Sequence, residues 1–555
     1  MKNIQIILFA FVCVFSANAQ KSIPHEVNID AIFSRWNNDN TPGGSVGVIK
    51  DGKLIFSKGY GMANLDYNIP NEPNTVFKIA STSKQFTAAS IIILAQQGKL
   101  SLQDKLSAYF PKFPPYAENI TIQHLLNHTS GIRDYIILAR LSGLSANDYY
   151  TNKTVEKLLT NQQELNFKPG EEFVYSNSGY WLLSQIVKKV SGETLAAFAK
   201  KNIFDPLKMN NSRFHDNFIE VVKNRATGYR PNRKGGFYEY MTTLNMVGDG
   251  GLITTINDLA KWDASFYNTS VFDNDFWKQM LRLGTLNNGE KTGYASGLAT
   301  RKYKGLEVIH HSGSFVGYRT QFIRFPEAKF SVIVLANRTD TDPSRMAYKT
   351  ADLFLTNEYK TQKQQKPKKE AVRKSRKKEF SISVKELKKL EGNYWNNKNK
   401  SSSKLQVIDG VLNYVRSNGS KTKMRPIAKN KFQIIGSRTP VYLEIKNSKE
   451  FTITTSNSTS VTFTSFEPVK TYNTKDLETY SGEYYSAELD VIYTLKRSKN
   501  KLILMVKGEP IGEVKPIMKD VISIRSRQTF EFNKNRSEFR LSMLGRVKNI
   551  KFVKR

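Results

Sequence analysis

From residue 360 to residue 380 the chain reads KTQKQQKPKKEAVRKSRKKEF, with 10 basic and 2 acidic residues, one proline and almost nothing apolar. A run of that composition cannot enter a hydrophobic core and reads as a solvated linker, set here at 359–380. It forces the 555 residues into separately cored parts, and the texture changes across it. After it come only short alternating runs, such as Lys404 to Ile408, Val411 to Val415, Val441 to Ile445 and Phe451 to Thr455, set apart by Asn, Ser, Gly and Lys. That is all-β patterning. Within it, Glu386-Leu-Lys-Lys-Leu-Glu-Gly-Asn-Tyr394-Trp is echoed 90 residues later by Asp476-Leu-Glu-Thr-Tyr-Ser-Gly-Glu-Tyr484-Tyr. Two similar units follow, 381–470 and 471–555, as two barrels or as halves of one.

Ahead of the linker, Val46 to Ile49, the turn Asp51-Gly52 and Leu54 to Phe56 read as a hairpin. Ser83 to Gln97 is too long and continuous for a strand and stops at Gly98, which predicts a buried helix opening near Ser81. Tyr180 to Val190 before Ser191-Gly192 predicts a second helix, and Thr255-x-x-Asp258 is the capping start of a third. Val308 to Ile309, Thr320 to Phe325 and Phe330 to Ala336 read as strands, and Met346 to Leu355 as a closing helix. Strands at both ends with helices between them describe one α/β domain over 20–358.

The net charge of +35 raises nucleic acid or an anionic surface as a partner. Residues 359–555 hold 44 basic and 18 acidic residues, so +26 of the charge belongs to the linker and the β region. No zinc-finger or RNA-binding-sheet pattern accompanies it, which favours adherence to an anionic cell-envelope surface over specific nucleic-acid reading. At the other end Lys2, the apolar run Ile4 to Phe15 and Ala17-Asn18-Ala19 read as a secretory signal over 1–19, too short to span a membrane. The expected location is therefore periplasmic or secreted, with no transmembrane span. The single cysteine, Cys13, lies inside that signal, so the exported chain is expected to have no disulfide and no cysteine-based metal site.

Two patterns suggest chemistry that their context does not support. Gly43-Gly-Ser45-Val-Gly47 fits G-x-S-x-G, yet that motif needs a helix after the serine, and here a strand runs on into the Asp-Gly turn. His124-Leu-Leu-Asn-His128 has the spacing of a helical zinc pair, but Leu125 stands where a general-base Glu belongs, so both read as structural histidines.

Phe77-Lys-Ile79-Ala-Ser81-Thr82-Ser83-Lys84-Gln-Phe86 is different. Ser81 and Lys84 stand at i and i+3 where the buried helix begins, so one turn brings both side chains to one face. A hydroxyl is a weak nucleophile until a base takes its proton, and a buried lysine can be that base. The helix N-terminus favours negative charge developing there. Ser83 falls on another side of the helix and reads as support.

The blocks that follow come in a familiar order: Thr121-Ile-Gln-His124-Leu-Leu-Asn-His128-Thr-Ser-Gly131-Ile, Pro169-Gly170, Tyr175-Ser176-Asn177-Ser-Gly-Tyr180, Gly250-Gly251 through Asp258-Leu259, and His311-Ser312-Gly313 with Gly317-Tyr318. With F-x-I-x-S-x-S-K they resemble the serine β-lactamase-related hydrolases: class C β-lactamases, D-alanyl-D-alanine carboxypeptidases, D-aminopeptidases and related esterases. The resemblance covers about residues 25–358 and implies a β-lactamase/transpeptidase-like α/β (α+β) domain with an antiparallel sheet flanked by helices. It implies acyl transfer through an ester on Ser81, with Lys84 and Tyr175 moving the proton and either one open as the base. It further implies that Asn177 bonds Lys84 or substrate, and that His311 to Ser314 form a strand beside the substrate. The N–H groups of Ser81 and Ser314 would then be the oxyanion hole, with Gly313 and His311 in the same substrate-binding motif. His310 is expected to face away. No metal or organic cofactor is required.

The third motif departs from K-T-G, and a His there is similar to the carboxypeptidase and D-aminopeptidase branches. The expectation is an exported serine hydrolase of D-amino-acid peptides or small esters. The alternatives are a class C-like β-lactamase and a non-turnover acyl-binding envelope protein.

Overall fold

The computed structural model describes residues 25–145, 148–359, 380–436, 440–455, 460–525 and 527–555. The signal expected over 1–19 and nearly all of the linker expected over 359–380 lie outside the described residues.

A six-stranded antiparallel sheet organises the first part, in the order Ala299–Tyr303, Leu306–Phe315, Tyr318–Phe325, Phe330–Ala336, Gly44–Lys50, Lys53–Tyr60. The N-terminal hairpin thus docks on the last strand, with Val46 opposite Val334 and Val48 opposite Val332. Phe330–Ala336 is apolar except for Ser331 and buried at every residue, because both of its faces are covered. Phe330, Val332, Val334 and Ala336 join a core with helices Glu26–Phe33 and Pro343–Phe354, whereas Ile333 and Leu335 face the helical layer inserted between the second and third strands in sequence. The expected hairpin turn has Asp51 and Gly52 at φ 50° and 72°, the left-handed pair of a type I′ turn.

The helices form where apolar spacing and caps agree. Lys84–Gln96 is buried on nearly every side, and Gly98 at φ 67° ends it. Asn177–Ser191 closes on Gly192 at φ 77°, and Ile256–Ala264 starts with Thr255 accepting the Asp258 N–H. Ser81 itself sits just ahead of the long helix, in a 3₁₀ turn over Ala80–Ser83.

Beyond the linker stand two closed barrels of eight antiparallel strands each, Gly392 to Ser465 and Gly482 to Lys554. The echo seen in the sequence has a structural basis. In each unit a short capped helix, Val384–Lys388 or Thr474–Tyr480, precedes the first strand. In each, the tyrosine of that strand donates to a carbonyl four residues back, Tyr394 to Leu390 at 3.1 Å and Tyr484 to Tyr480 at 3.0 Å. Among the described residues no helix is long and apolar enough to cross a membrane.

The two barrels relate differently to the first part. The first has its own core around Leu405, Phe432, Leu443 and Phe451. The second shares a continuous core with the helical layer. Tyr493 donates to the Leu141 carbonyl at 2.8 Å, and the buried Arg133 guanidinium pairs with Glu488, which is itself 7% exposed. Breaking a buried pair by removing one partner strands the other charge and costs about 3–5 kcal/mol. Glu488→Ala is therefore expected to lower the unfolding free energy by about that amount in urea titration; a loss under about 1 kcal/mol, the value of a surface pair, would mean that Arg133 is solvated.

Candidate functional site

The turn that presents Ser81 begins on the short strand Phe77–Lys78, which pairs with Leu252–Thr254. Ala80 then takes φ 49°, a left-handed value that costs a residue with a Cβ free energy and needs surrounding structure to hold it. Ser83 supplies part of that hold, since its hydroxyl donates to the Ala80 carbonyl at 2.5 Å and accepts the Leu252 N–H at 3.1 Å. Thr320, on the sheet, donates to the Ile79 carbonyl at 3.0 Å. Gly313 lets the sheet come this close: a Cβ there would lie 2.2 Å from the Ile79 carbonyl oxygen. Because a 3₁₀ turn has three residues, side chains at i and i+3 eclipse. Lys84 Nζ accordingly lies 3.3 Å from Ser81 Oγ.

Lys84 is wholly buried, so its amine must be satisfied inside the protein. It donates to Asn177 Oδ1 at 2.9 Å and to the Asp249 carbonyl at 2.5 Å. Neither oxygen can give a proton back, so both positions are fixed as N–H donors. The third position faces Ser81: an N–H when lysine is charged, a lone pair when it is neutral. Asn177 is oriented in turn by Asp134, whose carboxylate accepts its backbone N–H at 2.9 Å and its Nδ2 at 2.8 Å, which leaves Oδ1 for the lysine.

Lys84 Nζ lies 4.9 Å from the centroid of the Tyr175 ring, without a hydrogen bond between the two. The buried Tyr175 hydroxyl has no hydrogen-bond partner among the described residues. The His128 ring lies 4.2 Å away, and the Arg546 guanidinium stands 4.9 Å over the tyrosine ring. Arg546 belongs to the last hairpin of the second barrel. Its carbonyl accepts the Asp134 N–H at 3.2 Å and Asn166 Nδ2 at 2.7 Å, so that hairpin is tied to the segment that carries Asp134.

His311 lies on the strand Leu306–Phe315, as expected, but its ring is 5% exposed and already engaged. Nδ1 lies 2.7 Å from the Ser312 carbonyl and Nε2 2.9 Å from the Tyr294 hydroxyl. A carbonyl only accepts, so Nδ1 carries the proton and Nε2 accepts from Tyr294. Burial, with Lys84 adding its charge, pulls this ring down to about 3, so it is neutral at neutral pH. His310 points to the other face of the sheet, and burial lowers it to about 3 as well. Ser314 is exposed and lines, with Ser81, Asn177 and Asp249, a compact cavity of about 70 Å³.

The set-aside patterns sit elsewhere or act otherwise. Ser45 is buried in the sheet and donates to the Glu72 carbonyl at 2.7 Å. His124 accepts the Thr121 N–H through Nδ1 at 3.2 Å in a helix cap. His128 accepts the Ser176 N–H at 3.2 Å, and its ring is a wall of the site. Asp134, Asp249, Tyr294 and Arg546 were not legible as site residues. Asp134 and Asp249 adjoin quoted blocks, whereas Arg546 sits in a barrel hairpin with no motif. Burial raises the Asp249 carboxyl to about 6 against the pull of Lys84, and Tyr135 donates to it at 3.2 Å.

Comparison with known proteins points the same way as the geometry. The family model described as Beta-lactamase matches residues 29–356. Penicillin-binding protein 4* of Bacillus subtilis is 30% identical over 343 residues, which cover 59% of this chain and 75% of that protein. A D-aminopeptidase of Gluconobacter oxydans is 27% identical over 301 residues, covering 53% of this chain; the chain spans only 56% of that enzyme's length. Among solved structures, the octameric penicillin-binding protein homologue from Pyrococcus abyssi aligns with TM-score 0.54 and 27% identity over 79% of this chain and 98% of that one.

The neutral His311 has a consequence for acid stability. An unfolded histidine takes up a proton near pH 6.5, whereas the folded ring resists until about 3. Between those values the unfolded state holds the extra proton, so stability falls as pH falls. Unfolding free energies from urea titrations between pH 7 and pH 4 are expected to drop less steeply in His311→Gln, by up to about 1.4 kcal/mol per pH unit. Equal slopes would mean that the folded ring is charged or open to water.

Proposed function

The chain belongs to the beta-lactamase family, and from that premise we propose that it is a serine hydrolase forming an acyl ester on Ser81, acting on D-amino-acid peptides, amides or small esters. The observation that carries the reading is the coordination of Lys84, in which two acceptor-only oxygens leave the third position for Ser81 Oγ.

The steps follow from that arrangement. Neutral Lys84 takes the Ser81 proton as Oγ attacks the substrate carbonyl, and the new oxyanion is met by the N–H groups of Ser81 and Ser314. Each such donor is worth about 2.7–4 kcal/mol in the transition state. On collapse the leaving amine or alkoxide receives a proton from the ammonium of Lys84, with the unpartnered Tyr175 hydroxyl available as the relay. Water then attacks the ester, gives its proton to the same lysine, and Ser81 departs with that proton. Asn177 holds the lysine, and Gly313 lets the strand of Ser314 lie against the nucleophile turn. His311, neutral and bonded at both nitrogens, positions Tyr294 and carries no charge to the substrate.

Export of the chain through its leader belongs to the same reading, as does retention near an anionic envelope by the basic C-terminal third. The relative named a penicillin-binding protein favours a second reading, in which β-lactams acylate Ser81 and leave slowly. A panel of short-chain nitrophenyl ester, D-alanine amide, D-Ala-D-Ala peptide and a chromogenic cephalosporin separates the readings. Turnover of at least one of the first three, lost about 10³-fold or more in Ser81→Ala, is expected. Stoichiometric acylation by the cephalosporin with no turnover of any substrate would replace hydrolysis by the binding role. Equal rates in Ser81→Ala would overturn both.

A further inference from the structure

The second barrel is closed, and eight strands enclose an interior that side chains can just fill or that can hold one small ligand. At the end of this barrel that faces the helical layer, a cavity of about 170 Å³ remains. Strand alternation turns Tyr493, Leu504, Val506, Ile524 and Met543 toward it, and all five are buried. The first barrel shows what the same place looks like when filled. Its strands Ser401–Ile408 and Val411–Arg416 match Val491–Ser498 and Lys501–Val506 in length and stand 90 residues before them, so Tyr414 corresponds to Leu504 and Ser403 to Tyr493. Tyr414 is buried, its ring 6.2 Å from that of Phe463. In the second barrel the tyrosine has changed strands. Tyr493 sends its hydroxyl out of the barrel to the Leu141 carbonyl, and the smaller Leu504 leaves the space.

The rim is polar and of one sign. Arg140 comes from the helix Tyr135–Leu141, Arg525 follows the strand Val521–Ile524, and Arg527 precedes the strand Gln528–Phe532. None of the described residues that line the cavity is acidic. Arg525 donates through Nη2 to the Ile511 carbonyl at 2.8 Å, which holds its guanidinium at the rim and leaves its remaining N–H groups for a ligand. Gln528 points inward, in step with the buried Phe530 and Phe532. Its amide nitrogen reaches only the Met543 sulfur, at 3.8 Å, and its oxygen is buried with no hydrogen-bond partner among the described residues. An amide left in that state costs free energy, and natural structures rarely keep one without use. Gly143 closes one side: a Cβ there would lie 3.1 Å from Lys507 Cδ and 3.4 Å from Val506 Cγ1.

We propose that this cavity is a ligand site separate from Ser81, taking a small monocarboxylate whose apolar body enters the barrel and whose carboxylate meets Arg525 and Arg527. It shares no lining residue with the cavity that holds Ser81. An apolar cavity of about 150 Å³ holds a benzene ring, so the body is one of about six carbons. A guanidinium receives a carboxylate through two parallel N–H bonds, which a neutral head cannot match. The Gln528 amide, turned about its last bond, offers an N–H to the same head. Arg140 adds a third cation from the helix that Asp134 caps, so a bound carboxylate joins the barrel to the helical layer. Nothing in this site depends on the hydrolase reading.

Calorimetry on the full chain is expected to show one site for hexanoate. Hexanamide, which lacks the charge, and acetate, which lacks the body, should each bind about tenfold or more weakly. The double variant Arg525→Gln/Arg527→Gln should weaken hexanoate about tenfold, and Leu504→Tyr, which restores the residue of the first barrel, should abolish its binding. Both arginines are exposed, so their variant tests the site even where the core variant does not fold. Ser81→Ala should bind hexanoate as wild type does. No binding of hexanoate up to about 10 mM, equal binding of hexanamide, wild-type affinity in the arginine variant, or loss of binding in Ser81→Ala would each overturn the proposal.

Discussion

A lysine amine with no surface in water has few ways to exist, and Lys84 uses most of them. Its contacts come from three separate places in the chain: the turn at Ser81, the helix start at Asn177 and the loop carbonyl of Asp249. Two of these places are fixed by something farther out. Asp134 orients Asn177 while capping the helix Tyr135–Leu141. Ser83 and Thr320 brace the turn, and Gly313 keeps the sheet close enough for Thr320 to reach it. The site is thus a consequence of desolvation. Had the lysine been exposed, water would have satisfied it, and nothing would require its third position to face the serine.

The second barrel takes part in this arrangement. The buried Arg133–Glu488 pair and the Tyr493 hydroxyl lock it to the helical layer, and its last hairpin brings Arg546 over the ring of Tyr175. That ring therefore lies between the Lys84 amine and the Arg546 guanidinium, which come from distant parts of the chain. The first barrel stays more separate, with its own core, and touches the same region through Lys398, 3.3 Å from Glu172. The basic character of the C-terminal third is therefore not only a surface property: one of its arginines stands inside the site.

The sequence carried the fold where local signals and burial agreed. Apolar runs, Gly98, Gly192 and Thr255 marked helices that the structure contains, and the Tyr394 and Tyr484 echo marked two similar units, left open as two barrels or halves of one, which the structure shows as two closed barrels. The pairing of Ser81 with Lys84 was readable because it is local, three residues apart at a helix start. The rest of the site depends on contacts between distant segments. Asp134 reaches Asn177 across 43 residues, and Arg546 approaches Tyr175 from a hairpin whose own sequence says only β-turn. His311 was placed on its strand correctly, yet its closed, neutral state depends on Tyr294, which no motif singles out. His128 read as a helix-end histidine because its spacing to His124 was visible, whereas its packing on Tyr175 was not.

The central claim is that Lys84 exchanges a proton with Ser81, and the labelling rate of that serine reads it most directly. Folded protein is treated with a fluorophosphonate probe at neutral pH, and the adduct is timed and located by peptide mass spectrometry. The account predicts one adduct, on the peptide carrying Ser81, forming about 10²-fold or more slowly in Lys84→Met, the usual size of a lost general base. An adduct on another residue, or labelling of Lys84→Met at the wild-type rate, would contradict it.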